Sequence, residues 1–137
     1  MKVFLILLVA LVYCGLNAQD FNYKVLSDNL GIEENCINDI IQDHKGFLWL
    51  ATCSGLKRFD GYSPKQYLQS TRGENGLKSQ VFSCLFEDNK NRLWIGSSYS
   101  GFYYYDSNKE TFVQYANDSN NMNSLGNNNV WCMTEDR

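Results

Sequence analysis

Several residue types that support particular functions are scarce in this 137-residue chain. It has a single histidine, His44, and no Cys-x-x-Cys pair, so a zinc site is not expected. The net charge is −3 and there is no basic run, which argues against nucleic acid as a partner, because that binding depends on neutralising phosphates. No stretch shows the 3.6-residue periodicity that helical repeats require, so a helical solenoid is excluded as well.

The long apolar run of the chain lies at its N-terminus, where Lys2 precedes Val3 to Val12. Ala18 followed by Gln19 offers a small residue at a cleavage point. We therefore predict a signal-peptide helix over residues 1–18, with an uncleaved anchor or a buried helix as the alternatives. No second apolar stretch of about 18 residues follows, so nothing is expected to span a membrane after cleavage. The mature protein is expected to be exported.

Four cysteines remain after such a cleavage: Cys36, Cys53, Cys84 and Cys132. An even number in an oxidising compartment is compatible with disulfides. Three of the four, however, fall at apolar positions of predicted strands, where a free cysteine behaves as a small hydrophobic residue. We expect buried free thiols, with a disulfide as the alternative.

An internal repeat with a period in the forties is the primary signal. Asp43 to Thr52 matches Asp88 to Ser97 at a lag of 45 residues, with Asp, Lys, Leu and Trp identical. The match resumes from Ser54 and from Ser100, after one inserted residue. The opening of the unit returns a third time at the end of the chain. We place repeat one at about 36–69, repeat two at about 81–116 and the start of repeat three at 129–137.

Each unit contains four short, mostly apolar segments separated by turn residues, predicted in the first unit at Cys36–Gln42, Phe47–Thr52, Leu56–Phe59 and Lys65–Gln69. Four short strands joined by tight turns at this period are typical of a β-propeller blade. Apolar side chains on both faces of the strands fit blades that stack around an axis. The predicted fold is all-β, an incomplete propeller over residues 19–137. It comprises two four-stranded blades, the first strand of a third, and an N-terminal strand at Phe21–Val25 that closes the ring.

The recurring residues are interpreted as structural. Asp in the first turn, Trp in the second strand, Gly in the next turn and Asp after the third strand recur in both units. These are Asp43, Trp49, Gly55 and Asp60 in repeat one, and Asp88, Trp94, Gly101 and Asp106 in repeat two. His44 is predicted to be a solvated turn residue. No catalytic residue, metal site or cofactor is predicted.

Two tyrosines are the candidate ligand contacts. Tyr99 lies in the turn lengthened by the inserted residue, and loops on a rigid scaffold are where binding residues concentrate. Tyr103 opens a run of three tyrosines whose counterparts in repeat one are Lys57, Arg58 and Phe59. That difference suggests a position free to serve another purpose.

The first unit resembles the two-component regulator propeller repeat through Asp43–Gly46, Leu48–Thr52 and Gly55–Gly61. The second unit resembles it too, with Asn91 in place of Gly and Ser97 in place of Thr. The resemblance covers nearly all of residues 21–137. It implies the N-terminal fragment of the extracytoplasmic sensor of a hybrid two-component histidine kinase of the Bacteroidetes type.

The resemblance also implies a function: periplasmic sensing of oligosaccharides from polysaccharide breakdown. The partners would be the oligosaccharide and the remaining blades of the parent chain, which would be anchored in the inner membrane and dimeric. No enzyme activity is expected in this segment, although the parent would be a histidine kinase. The alternative is a secreted carbohydrate- or protein-binding propeller without a kinase. An exported propeller lyase or hydrolase is a third hypothesis, disfavoured because the acidic residues sit mostly at turns.

Overall fold

The computed structural model describes residues 36–70 and 76–136. The predicted signal peptide and the Phe21–Val25 strand lie outside these residues. Eight strands form two four-stranded antiparallel sheets in the part of the chain that is described. The first sheet contains β1 (Ile37–Gln42), β2 (Leu48–Thr52), β3 (Gly55–Phe59) and β4 (Pro64–Tyr67). The second contains β5 (Phe82–Glu87), β6 (Leu93–Ser97), β7 (Phe102–Asp106) and β8 (Thr111–Tyr115).

The two sheets are copies of one unit at the level of residue register. In both, the strands pair in chain order as an up-and-down meander. Trp49 pairs with Ile41, and its counterpart Trp94 pairs with Phe86. The first strand of each sheet also carries a register irregularity at the same place, which falls between Phe82 and Cys84 in the second sheet. The predicted pair of four-stranded blades is therefore confirmed.

The main core lies between the two sheets. Trp49 is fully buried there, stacked on Tyr67 with ring centroids 5.7 Å apart and in edge contact with Tyr105 of the second sheet at 4.9 Å. Phe112 packs against Tyr67 and Tyr105 to complete the aromatic cluster. Aromatic pairs of this kind contribute about 0.5–1.5 kcal/mol each beyond the burial of their area. The sheets are thus joined face to face by side chains from both repeats.

Each sheet also has an outward face that carries apolar groups. On the first sheet Leu50 and Phe59 form a small separate cluster. On the second sheet Trp94 contacts Phe102 and Tyr104, and Phe102 stacks on Tyr115 at 5.1 Å. Trp94 on this outward face is the repeat counterpart of Trp49, which joins the first sheet to the second. The outward face of the second sheet therefore has the chemistry of a further interblade contact.

Residues 129–136 follow the second sheet without being assigned as a strand. A ladder needs a partner, and the described residues contain no strand after this segment that could supply one. Its contacts nevertheless repeat those of β5. Ser83 Oγ donates to the carbonyl of Val130, as Asn38 Nδ2 donates to that of Phe82 at 2.7 Å. The segment occupies the place of a third blade's first strand, although the predicted strand itself is not formed.

The expectation of free thiols is wrong for two of the four cysteines, because Cys36 and Cys53 form a disulfide. Cys36 precedes β1 and Cys53 follows β2, so the antiparallel pairing brings their Cα atoms to 5.6 Å, within the usual disulfide range. Cys84 is a buried free thiol, as expected, and burial raises its pKa. Cys132 is free but exposed.

Candidate ligand site on the upper face

Because the strands of each sheet are antiparallel, successive connections lie alternately on two opposite faces of the pair of sheets. The upper face, as we name it, carries the turns at 53–54 and 98–101, the described ends of the connection between the sheets at 68–70 and 76–81, and the connection at 116–128. The lower face carries the turns at 43–47, 60–63, 88–92 and 107–110. Tyr99 and the segments beside it belong to the upper face, whereas the recurring aspartates belong to the lower one.

The turn that carries Tyr99 is held rigidly at its base. Ser97 Oγ donates to the carbonyl of Gly101 at 2.9 Å and accepts the N–H of Ser100 at 3.0 Å. Gly101 has φ of 75°, and a Cβ there would lie 2.1 Å from the carbonyl oxygen of Tyr115. The first sheet closes its shorter turn in the same way, with Thr52 in place of Ser97. The inserted residue therefore projects from a fixed base.

Tyr99 is 74 % exposed and borders a shallow pocket of about 300 Å³ on the upper face. The other lining residues are Gln69, Lys78, Ser79, Gln80, Val81 and Ser100. Ser98 N donates to the carbonyl of Val81 at 3.2 Å, which ties the turn to the connection between the sheets. The pocket combines one exposed aromatic ring with the side chains of Lys78, Gln80 and Ser100, whereas the side chains of Gln69 and Ser79 already donate to backbone carbonyls. Such a surface can bind a hydroxylated ligand by stacking and hydrogen bonding.

The structure places Tyr103 beneath this pocket. Its side chain is fully buried, in edge contact with Phe82, and its hydroxyl accepts the N–H of Lys78 at 3.1 Å. Tyr103 thus positions the wall that faces Tyr99 and has no surface of its own for a ligand. Alternation along β7 explains the difference, because Tyr103 and Tyr105 point into the core between the sheets and Tyr104 points outward. Tyr99 and Lys78 line the same pocket and Tyr103 holds the backbone of Lys78, but of the two tyrosines only Tyr99 is accessible.

The recurring Asp–Trp pair on the lower face has a role that the sequence did not reveal. Asp43 Oδ1 accepts the N–H groups of Lys45 and Phe47, and its Oδ2 accepts the indole N–H of Trp49 at 2.8 Å. Asp88 accepts the corresponding indole N–H of Trp94 at 3.0 Å. One carboxylate therefore shapes the turn and also fixes the tryptophan six residues later. The recurrence of both residues at that spacing was the available signal.

The carboxyl group of Asp88 is strongly acidified. Its burial alone would raise the pKa, but hydrogen bonds from Trp94, from the backbone and side chain of Arg92 and from Lys90 outweigh that effect. The pKa is therefore well below its ordinary value, and the carboxylate is charged throughout the neutral range. All four donors belong to the same turn and strand, so the arrangement is structural.

The other predicted structural positions lie in turns or at the strand ends beside them. Asp60 Oδ1 accepts the N–H groups of Tyr62 and Ser63, both at 2.8 Å. Asp106 Oδ1 accepts the backbone N–H groups of the residues two and three positions later. Gly55 has φ of 139°, and a Cβ there would be 3.1 Å from the carbonyl of Tyr67. These contacts close the turns of the sheets and involve no exposed cleft.

His44 lies in a turn and is exposed, as expected, and it also links the two sheets on the lower face. Its Nδ1 lies 2.5 Å from Oε1 of Glu87, and its backbone N–H donates to the same carboxylate. The N–H of Asn89 donates to Glu135 in the same manner, at 2.9 Å. Glu87 at the end of β5 therefore holds the turn at 43–47 of the first sheet, and Glu135 holds the turn at 88–92 in the same way. The sequence signal was Glu before the recurring Asp at 87 and 135.

A second polar cluster joins the sheets beside His44. Arg58 lies over the ring of Phe47 at 4.6 Å and donates to the hydroxyl of Tyr105 at 3.0 Å. Glu110 accepts from Lys65 at 2.6 Å and from Arg58 at 3.4 Å. The hydrogen bond from Lys65 holds the pKa of Glu110 below its ordinary value. A partly open cavity of about 240 Å³ lies here, and several of the charged groups that line it already pair across the seam, as His44 does with Glu87 and Arg58 with Glu110.

Two further properties concern the described residues as a whole. Among residues 36–70 and 76–136 no helix is long and apolar enough to cross a membrane. Within the same ranges no group of three or more His, Cys, Asp or Glu side chains is placed to hold a metal ion. On the upper face, one exposed aromatic ring lies beside several hydrogen-bonding groups.

The two sheets define a class of structure, the β-propeller blade, and comparison with known proteins defines the kind of blade. Residues 31–54 and 76–99 match the family described as two component regulator propeller. Each match ends with the second strand of a sheet and the turn after it. The chain carries two copies of the two-component regulator propeller repeat, as the sequence predicted.

Solved structures of similar fold come from B. thetaiotaomicron. The extracellular domain of the hybrid two-component system BT3049 matches with a TM-score of 0.68 at 24 % identity, over 80 % of this chain and 15 % of that one. The extracellular domain of the hybrid system BT4673 matches with a TM-score of 0.52 at 24 % identity, over 68 % of this chain and 14 % of that one. At these identities the likeness shows the propeller fold.

A curated relative is histidine kinase P4 of Formosa agariphila, which is 36 % identical over 67 residues. The alignment covers 47 % of this chain and 5 % of the relative. The chain therefore spans a small part of the length of the proteins it matches.

Proposed function

We propose that this chain is the ligand-sensing propeller segment of an exported two-component receptor, and that it responds to oligosaccharides released from polysaccharides. The observation that carries the proposal is the pair of regulator propeller repeats in consecutive, stacked sheets. A signal peptide over residues 1–18 would deliver the segment to the periplasm. The remaining blades, the membrane anchor and the kinase would belong to a longer parent chain, which would act as a dimer.

The upper face supports a binding role for this segment. Tyr99 stands on a turn whose base is fixed by Ser97 and Gly101, so binding would not require the turn to be ordered first. Lys78 faces it from the connection between the sheets, with its backbone held by Tyr103. An exposed ring beside hydrogen-bonding groups suits a sugar, which offers C–H faces and hydroxyl groups.

The lower face supports a structural role. Its cavity is bordered by groups that are already paired, such as His44 with Glu87 and Arg58 with Tyr105. A ligand would have to replace these contacts before it could bind. In this proposal the lower face joins the blades and the upper face binds the ligand.

A secreted carbohydrate- or protein-binding propeller without a kinase is the alternative function. It would share the fold and the upper-face site, since the matches to known proteins fall on the propeller itself. The coding sequence after Arg137 separates the two. Further regulator propeller repeats, a membrane span and kinase motifs are expected for the receptor, whereas a stop after the last blade would establish the alternative.

The binding proposal is tested on the mature chain by saturation-transfer NMR with neutral hexose oligosaccharides. Tyr99→Ala should weaken the transfer, because the exposed ring is removed and the base of the turn is kept. Tyr62→Ala is the matched control, since Tyr62 is 88 % exposed in a lower-face turn. Equal binding by both variants would exclude Tyr99 as the contact.

Mass spectrometry of the exported protein should find Gln19 as its first residue.

A further inference from the structure

The segment that leads from residue 76 into β5 forms one wall of the Tyr99 pocket, and it is anchored in the core at its start. Gly76 has φ of 80°, and a Cβ at this position would lie 2.1 Å from the carbonyl oxygen of Phe112. Glycine alone allows the chain to come so close to β8. The next side chain, that of Leu77, is fully buried, and its carbonyl accepts the N–H of Ser70 at 3.1 Å. The wall therefore begins at a point that cannot shift without disturbing the core.

Two hydrogen bonds hold the backbone of Lys78 on this wall. Its N–H donates to the hydroxyl of Tyr103 at 3.1 Å, and its carbonyl accepts Nε2 of Gln69 at 2.9 Å. The following residue, Ser79, is buried, and its hydroxyl bonds both the carbonyl and the N–H of Val81. Lys78 itself is exposed. A fixed stretch of backbone thus presents the lysine side chain to the pocket that Tyr99 borders.

The hydroxyl of Tyr103 is a departure from the repeat. The counterpart of Tyr103 in the first sheet is Lys57, so the blade pattern does not require a phenol at this position. Tyr105, two residues later on the same side of β7, is also buried, and its hydroxyl accepts from Arg58 on the lower face at 3.0 Å. The two hydroxyl groups therefore reach opposite faces of the pair of sheets. That of Tyr103 holds the pocket wall, whereas that of Tyr105 joins the blades.

We propose that Lys78 donates hydrogen bonds to the ligand beside Tyr99, and that Tyr103 is the positioning residue that fixes Lys78 for this contact. The inference rests on the proposed sensing function and assigns two residues of the same pocket. The ammonium group of Lys78 offers three donors, and its backbone is already ordered before the ligand arrives. Tyr103 does not touch the ligand and acts only through Lys78.

The test measures the affinity of the mature chain for neutral hexose oligosaccharides by titration in saturation-transfer NMR. Tyr103→Phe keeps the buried ring and removes the hydroxyl, and it should weaken binding about three- to tenfold, as should Lys78→Ala. Tyr105→Phe is the matched control, since it removes a buried hydroxyl from the same strand on the other face, and it should bind as the unmodified chain does. Hydrogen exchange at the Lys78 amide should become faster in Tyr103→Phe and stay unchanged in Tyr105→Phe. Far-UV circular dichroism checks that each variant retains its sheets.

A double-mutant cycle separates positioning from general loosening of the core. In the Lys78→Ala background, Tyr103→Phe should cause no further loss of affinity, because the side chain that it positions is absent. An equal loss in both backgrounds, or unchanged exchange at the Lys78 amide, would overturn the positioning role of Tyr103.

The remaining failures are distinguishable from one another. Full affinity in Lys78→Ala, together with a loss in Tyr99→Ala, would overturn the role of Lys78 and leave the proposed function standing. If the unmodified chain binds none of the oligosaccharides, the proposed function is overturned and this inference with it.

Discussion

Replacing the aspartate of the first turn should destabilise the protein more than the same change in the second turn. Asp43 and Asp88 make equivalent bonds to the turn and to an indole N–H, but the two tryptophans differ in exposure. Trp49 is fully buried between the sheets, whereas Trp94 is half-buried on an outward face. In Asp43→Ala the indole N–H of the fully buried Trp49 would lose its acceptor.

The expected magnitudes follow from the cost of unsatisfied groups. A buried donor left without a partner costs about 1–3 kcal/mol, and the turn amides add about 1 kcal/mol more after rehydration. Asp43→Ala should therefore lower the free energy of unfolding by about 2–4 kcal/mol. Asp88→Ala should cost about 1–2 kcal/mol, because water can reach the indole of Trp94 and because its ion pair with the exposed Arg92 contributes little.

Urea unfolding followed by circular dichroism gives both values by linear extrapolation. A double-mutant cycle with Trp49→Phe, which removes the indole N–H, isolates the bond. In that background Asp43→Ala should cost about 1–3 kcal/mol less than in the natural chain. The reasoning is refuted if Asp88→Ala costs as much as Asp43→Ala, or if the cycle shows no coupling.

Three further predictions concern backbone, cysteines and pH. Gly101→Ala should cost about 3 kcal/mol or more in urea unfolding because its Cβ would overlap a carbonyl oxygen, whereas Gly126→Ala, with nothing within 4 Å, should stay within about 0.5 kcal/mol. Iodoacetamide should label exposed Cys132 in the folded protein and buried Cys84 only after unfolding; equal labelling would contradict their burial. Asp88 has a lowered pKa when folded, so its stabilisation is complete above the unfolded pKa and is lost as the pH falls from about 5 towards 2. Asp88→Asn should flatten that part of the stability profile, and an unchanged slope would argue against the depressed pKa.

The two blades could be predicted because the turn residues, the strand residues and the repeat period all indicate the same fold. Asp43 and Asp88 with their turn residues, the Trp-containing strands after them and the glycines of the next turns recur in register. Each of these signals depends only on residues close together in the sequence, and each is present in both repeats. The strand bounds observed in the first sheet differ from the predicted ones by at most two residues.

Several contacts, both between the blades and within the first sheet, could not be predicted from the same pattern. Tyr103 is buried and Tyr99 exposed because β7 alternates and follows an inserted residue, which the three consecutive tyrosines do not reveal. The bond from His44 to Glu87 joins residues 43 positions apart and depends on how one sheet stacks on the next. The disulfide between Cys36 and Cys53 depends on the pairing of β1 with β2. These features depend on how the sheets stack and on the pairing register of the strands. Neither can be read from the composition of the sequence or from the spacing of its residues.

The central claim is that two regulator propeller repeats stack as consecutive blades through Trp49. A nuclear Overhauser spectrum of the mature chain tests it directly. Ring protons of Trp49 should show cross-peaks to Tyr67 of its own sheet and to Tyr105 of the next, since the ring centroids lie 5.7 and 4.9 Å away. Cross-peaks to Tyr67 without any to Tyr105 would mean that each sheet forms but the blades do not stack, and that result would contradict the account.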